Sequence, residues 1–157
     1  MLSVEERTAL INQIRHLPDQ LEALVADLSD DDLEMAFLPG EWSVAQNVHH
    51  LADAHMNAFY RFKQMLTTEQ PDIRPFDQKN WARTVESTLP NIRESLLILR
   101  GLHARWCILM DSIGEADWQR TGLHDQVGVI TLEDVLMSYA RHGTNHLDQI
   151  RRTLEAR

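Results

Sequence analysis

The sequence predicts an all-α protein, a four-helix bundle with long crossover connections, and three observations carry that expectation. Four stretches repeat apolar side chains at intervals of three and four residues. Three of these open on a Ser or Thr with Glu, Gln or Asp three positions later, the spacing of a helix cap. No stretch alternates apolar and polar residues convincingly enough to read as a half-buried strand. With 157 residues, 43% of them apolar, the chain can bury a core of its own, so one domain over 1–157 is expected.

The first helix is capped by Ser3 with Glu6 and carries Leu10, Ile14, Leu17, Leu21, Leu24 and Leu28 on one face. Pro18 lies inside it and removes a backbone donor, which predicts a kink near Leu17 or two helical pieces end to end. Ser29-Asp30-Asp31-Asp32 stops this helix and opens a short turn, and Pro39-Gly40 marks a tight connection. The second helix is capped by Ser43 with Gln46. Its apolar face runs through Val44, Val48, Leu51, His55, Ala58, Phe59 and Phe62 until Thr67-Thr68 and Pro71. Between Pro71 and Pro90 the periodicity fades, and Pro75, Phe76 and Trp81 suit a crossover that lays aromatic rings on the bundle.

The third helix starts at Pro90 and repeats Ile92, Leu96, Leu99, His103, Trp106, Met110 and Ile113 until Gly114. Glu115 to Ile130 is irregular and holds Trp118 among glycine and turn positions. Thr131 with Asp134 then caps a last helix bearing Leu132, Leu136, Tyr139, Leu147, Ile150 and Leu154. Crossovers of this length permit a topology other than up-and-down.

Charge excludes one class of partner. Twenty-four acidic against fifteen basic side chains give a formal charge of −9, which repels a phosphate backbone. The nearest basic group, Arg141, Arg151, Arg152 and Arg157, complements a helix C-terminus, so nucleic acid is not expected. No apolar run approaches the roughly 20 residues of a membrane span, and the first residues lack a secretory pattern. A cytoplasmic protein with no membrane partner is the expectation. The single Cys107 cannot form an internal disulfide and reads as a buried thiol.

The chemistry begins at His142-Gly143-Thr144-Asn145-His146. Two histidines four apart on a helix lie one turn apart and can offer two imidazoles to one ion, although such pairs also serve as core or helix-end residues. The position after His142 is glycine, so the glutamate that acts as general base in zinc-protease helices is missing. A third ligand has to come from a facing helix, and the candidates are His49, His50 and His55. At about 100° per residue His55 falls in the middle of the apolar stripe, with His49 and His50 flanking it on opposite sides, so helical geometry does not choose among them. A bland account makes His55 a core histidine bonded to a backbone group or carboxylate, with one of His49 and His50 exposed and the other interfacial.

The run Pro39-Gly40-Glu41-Trp42-Ser43-Val44-Ala45-Gln46-Asn47-Val48-His49-His50-Leu51-Ala52-Asp53-Ala54-His55-Met56-Asn57 resembles the YfiT branch of the DinB-like superfamily. The similarity continues through Tyr60-Arg61-Phe62-Lys63, Ile73-Arg74-Pro75-Phe76-Asp77, Trp81, Leu102-His103-Ala104-Arg105-Trp106, Trp118-Gln119-Arg120, Val129-Ile130-Thr131-Leu132-Glu133 and the final His-x-x-x-His, nearly the whole chain. The resemblance implies a DinB-like four-helix bundle, often a homodimer, with one nickel or zinc ion held by a histidine of the second helix and two of the last. By that motif the ligands are His50, His142 and His146, since the first ligand stands eight residues after the tryptophan. Gly143, Thr144 and Asn145 depart from the extra histidines that such proteins carry there, so the pocket wall is expected to differ. The first helix begins almost at once, and contacts that a longer leader makes in some of these proteins are expected to be missing.

Three neutral imidazoles leave coordination positions open, as a catalytic site requires. Such an ion can activate water or stabilise a thiolate. The resemblance implies either a metal-dependent hydrolase or transfer of a low-molecular-weight thiol, bacillithiol or mycothiol in type, to an electrophilic small molecule, with transfer favoured. Asp53 and Asn57, one and two turns beyond His50, are candidates to line the mouth, weighed against a solvated face or dimer contact. Tyr139, one turn before His142, is a candidate hydrogen-bond donor weighed against a core role. A non-catalytic module in which the metal only fixes helix register is the remaining alternative, and histidine ligands do not say which ion is native.

Overall fold

The computed structural model describes residues 1–157. Its elements are α1 (Val4–Val25), α2 (Asp30–Glu34), α3 (Val44–Thr67), β1 (Asp72–Ile73), α4 (Gln78–Trp81), α5 (Arg93–Asp111), β2 (Thr121–His124), β3 (Gly128–Thr131) and α6 (Leu132–Glu155), with short 3₁₀ turns at Glu86–Thr88 and Glu115–Gln119. Four long helices form the bundle. α1 and α3 each pack on both α5 and α6, so α1 stands opposite α3 and α5 opposite α6. α1 and α3, and likewise α5 and α6, follow one another as long helices yet are diagonal, and long connections join them.

The caps form as their spacing dictates. Ser3 with Glu6, Ser43 with Gln46 and Thr131 with Asp134 each close a reciprocal capping box, and Ser29 with Asp32 caps the extra short helix α2. Pro18 lies within an unbroken α1, not between two helical pieces, and α1 ends at Val25, one turn before Leu28. The ring is accommodated at the cost of one helical hydrogen bond. The strands are a second departure from expectation. β1 pairs parallel to β2, and β2 pairs antiparallel to β3, in a small sheet that joins the two connections. A side chain on Gly122 would approach Ile73 Cγ1 to 2.8 Å, so glycine is what lets β1 and β2 close. Gly128, at φ +80°, takes the left-handed conformation that reverses the chain between β2 and β3.

The apolar core is in two parts. One contains Ile14, Phe62, Trp106 and Leu136, and the other contains Leu17, Leu21, Leu51, Leu99, Leu147 and Ile150. Along α1 the boundary falls between Ile14 and Leu17, along α5 between Leu99 and Trp106, and along α6 between Ala140 and Leu147. His103 and the pair His142 and His146 occupy those boundaries, and His50 and His55 flank the corresponding one on α3. A layer of imidazoles thus divides the core. No helix is long and apolar enough to cross a membrane.

Candidate metal centre

His50 enters the layer from α3, and His142 and His146 enter from successive turns of α6. One ring nitrogen from each lies within 4.8 Å of the others. The Nε2 atoms of His50 and His142 are 3.1 Å apart. A tetrahedral ion with Zn–N bonds near 2.0–2.1 Å spaces its ligand atoms about 3.3 Å apart; His50 and His142 already stand at that spacing, and the type and proximity of the three donors suit a first-row divalent ion. Neutral imidazoles are the form that ligates, and burial holds them neutral. Desolvation, reinforced by His146, pushes His50 down to about 3. Burial, then His146 and His50, takes His142 down to about 2, and burial takes His146 to about 4.

Each of the α6 histidines is tied to a partner on the side away from the cluster. His146 Nδ1 lies 2.8 Å from Asn47 Oδ1, and the amide nitrogen of Asn47 donates to the Ser43 carbonyl at 2.9 Å. Because that nitrogen is committed to a carbonyl, the amide oxygen faces His146 and the ring must carry its proton on Nδ1. His146 Nε2 is then free to ligate, the arrangement that second-shell partners of metal-binding histidines produce. His142 Nδ1 lies 3.3 Å from His55 Nε2, His55 Nδ1 lies 2.9 Å from His103 Nε2, and His103 Nδ1 lies 2.6 Å from the Ile14 carbonyl oxygen. Trp42 lies edge-on to His50 at 4.8 Å and stacks on His146 at 6.1 Å, while Phe76 lies 6.1 Å from His50.

Two cavities open beside His142. One, of about 380 Å³, is walled by Trp42, Gln78, His146 and Gln149, with Glu41 held by Arg152 at 3.3 Å. The other, of about 330 Å³, is walled by Arg61, Phe76, His124, Gln126, Ser138 and Tyr139, and none of its lining residues is acidic. Arg61 donates to the Tyr139 hydroxyl at 2.9 Å and to the Arg74 carbonyl at 3.0 Å.

The remaining candidates fall in different places. His55 is fully buried, as a core histidine, but its partners are His103 and His142 and not a backbone group or carboxylate. His49 is buried too, between the Ser95 hydroxyl at 2.8 Å and the Leu89 carbonyl at 3.0 Å, so neither member of the pair is exposed. Asp53 lines a separate cavity with His49 and Glu86, away from the His142 openings, and burial with Glu86 raises its carboxyl to about 6. Asn57 turns back to donate to the Asp53 carbonyl of its own helix. Tyr139 is 8% exposed, in the core by its ring and at the Arg61 cavity by its edge, and burial raises its pKa. His103, Asn47 and Arg61 had no assigned role in the sequence. A histidine on the apolar stripe of α5 is the available signal for the first, and the other two lie within the runs that resemble the family without any local pattern that assigns them a role.

The model of the DinB superfamily matches residues 13–150. A protein of Oceanobacillus iheyensis named "Putative metal-dependent hydrolase" is 41% identical over 140 residues, covering 89% of this chain and 81% of its own. YfiT of Bacillus subtilis, named in the same words, is 37% identical over 150 residues, covering 95% and 84%. The solved structure of YfiT superposes with a TM-score of 0.93 at 35% identity over 98% of this chain and 88% of its own, and is described as "a probable metal-dependent hydrolase with an unusual four-helix bundle topology". A mycothiol-dependent maleylpyruvate isomerase superposes with a TM-score of 0.71 at 18% identity over 93% of this chain and 60% of its own, a likeness of fold alone.

Proposed function

This chain belongs to the DinB superfamily, and on that premise we propose that it is a metal-dependent enzyme. In this reading His50, His142 and His146 hold one divalent ion, zinc or nickel, and the reaction transfers a low-molecular-weight thiol to an electrophilic small molecule. The observation that carries the reading is the convergence of three neutral ring nitrogens, from two helices, within 4.8 Å of one another. When bound, the ion supplies Lewis acidity that favours the anionic form of a coordinated nucleophile.

The chain's own residues account for the rest. Asn47 orients His146, and Trp42 and Phe76 cover the cluster with apolar surface that keeps bulk water from the reacting atoms. The walls of the two cavities offer amides and hydroxyls, and their one carboxylate, Glu41, is engaged by Arg152. A hydrolytic general base is thus poorly provided for, which favours a nucleophile that needs only to lose its own proton, as a thiol does. The cavity that joins Arg61 to His142 has no acidic lining in a chain of net charge −9, which suits a substrate with an anionic group held by the guanidinium.

Hydrolysis is the second reading, favoured by the names of the relatives. Zinc- and nickel-loaded protein should be assayed with a bacillithiol-type thiol plus monochlorobimane, and in parallel with an ester and amide panel. Conjugation without hydrolysis is the expected result. Hydrolysis without conjugation overturns transfer in favour of the second reading, and loss of either activity in His142→Ala ties it to the cluster.

A further inference from the structure

Pro18 has no N–H, so the Ile14 carbonyl, four residues earlier in α1, lacks its helical donor. That oxygen is taken up across the core by His103, whose Nδ1 lies 2.6 Å away. A carbonyl only accepts, so the proton of His103 is on Nδ1. Burial keeps the ring neutral, with its pKa down to about 4, and Nε2 is therefore bare. A bare Nε2 can only accept, so His55 must donate from Nδ1 across 2.9 Å. His55, neutral and fully buried, is then bare at its own Nε2 and must accept from His142 Nδ1 across 3.3 Å. The series leaves one possibility for His142: its proton is on Nδ1 and its lone pair is on Nε2, the atom that faces His50.

We propose that His103 and His55 are positioning residues, joined in a three-bond chain anchored on the carbonyl that Pro18 leaves free, which locks His142 in the Nδ1–H tautomer and aims its Nε2 lone pair at the metal position. The purpose of the lock rests on the metal-site reading above, but its existence does not. The groups facing the chain are apolar or aromatic: Trp106 lies edge-on to both His55 and His103, and Tyr139 lies edge-on to His55. No carboxylate bonds to any of its three rings, so the direction of every bond is set from the Ile14 end.

Nitrogen-15 NMR of the metal-free full chain reads the tautomers directly from the Nδ1 and Nε2 shifts of each ring. The expected pattern is a protonated Nδ1 and bare Nε2 at His103, His55 and His142 together. A His142 protonated on Nε2 in the unmodified chain overturns the proposal, whatever the variants do. In His103→Leu the acceptor for His55 is gone, and His142 should move to a tautomer mixture with zinc affinity, measured by chelator competition, lower by roughly 10- to 100-fold. His103→Gln keeps an acceptor oxygen near the Nε2 position and should restore both readouts, which a purely space-filling role of His103 would not require. Unchanged tautomer and affinity in His103→Leu would also overturn the proposal. In Pro18→Ala the restored N–H competes for the Ile14 oxygen, and a smaller shift in the same direction is expected; no shift removes Pro18 as the anchor. Normal tautomers in a chain that binds no zinc or nickel would instead count against the metal reading and leave the lock in place.

Discussion

The two apolar parts of the core and the imidazole layer between them are built on the same four helices yet obey opposite economies. Leu21, Leu51, Leu99 and Ile150 are fully buried and stabilise the fold simply by leaving water. His50, His55, His103 and His146 are almost as buried, and each has to stay neutral and find a hydrogen-bond partner to be tolerated there. The layer is thus kept at a cost in stability that the apolar parts do not bear. Its polar groups are satisfied, through the His103 chain and through Asn47, in the pattern that leaves Nε2 of His142 and of His146 bare where the three ligand candidates meet.

Acid separates the two regions most strongly. His50, His103, His142 and His146 have folded-state pKa values of about 3, 4, 2 and 4 against an unfolded value near 6.5. Between those limits the unfolded chain binds more protons than the folded one, so this part of the stability is present above pH 6.5 and is lost as pH falls from there towards 4. Each ring contributes up to about 1.4 kcal/mol per pH unit in that window. Urea titrations of the metal-free chain at pH 7, 6 and 5 should show the unfolding free energy falling by several kcal/mol in total, and a flat profile would mean that the layer is not dry.

Truncation should then split the regions by readout. Leu51→Ala, in the apolar part, is expected to cost about 2–5 kcal/mol of stability and to leave zinc affinity nearly unchanged. His142→Ala should weigh the other way: zinc affinity falls by more than about 100-fold, beyond the usual loss for an outer-shell partner, while the metal-free chain loses only the about 1–3 kcal/mol of leaving His55 Nε2 without its donor. Equal effects of the two substitutions on both measurements would mean that the layer and the apolar parts do not differ in this way.

What the sequence made legible follows the same division. Helix caps and apolar periodicity are local signals, and Ser3, Ser43 and Thr131 start their helices where the spacing placed them. The three histidines that converge were legible through family motif, since helical geometry left His49, His50 and His55 tied. Their partners were not. The Ile14 to His103 contact joins residues 89 apart, and Asn47 to His146 joins residues 99 apart, so no local pattern announces either. The strands were unreadable for a related reason. β1 has two residues, and its register with β2 pairs Asp72 with Leu123, across half a hundred positions, with too few residues to show alternation.

Gly143 lies where the layer meets the apolar part, and it sharpens the comparison from the side of packing. A Cβ there would meet Leu17 Cδ2 at 2.8 Å, so Gly143→Ala should cost about 1–3 kcal/mol by overpacking the contact of α1 with α6, despite alanine's better helix propensity. With Leu17→Ala in the same chain the combined loss should be smaller than the sum of the two single losses, because the clash is with that side chain. A double-mutant cycle on thermal unfolding checks this, and additive losses would show that the glycine is required for some other reason.

The smallest expected effect on the fold is at Arg61, on the outer wall of the layer. Its guanidinium bonds the Tyr139 hydroxyl and the Arg74 carbonyl, neutral partners at a half-buried site, so Arg61→Met should shift stability by less than about 1 kcal/mol. The charge nonetheless stands in a cavity with no acidic lining that reaches His142, which makes it available to a ligand. With an electrophile carrying a carboxylate, KM should rise roughly tenfold, the value of one charge-assisted hydrogen bond of about 1.4 kcal/mol, and with its methyl ester KM should not change. The kcat should hold in both cases, because the arginine binds a part of the substrate remote from the reacting atoms. A fall in kcat with both electrophiles would instead place Arg61 in the support of Tyr139 and His142, within the layer and not at its edge.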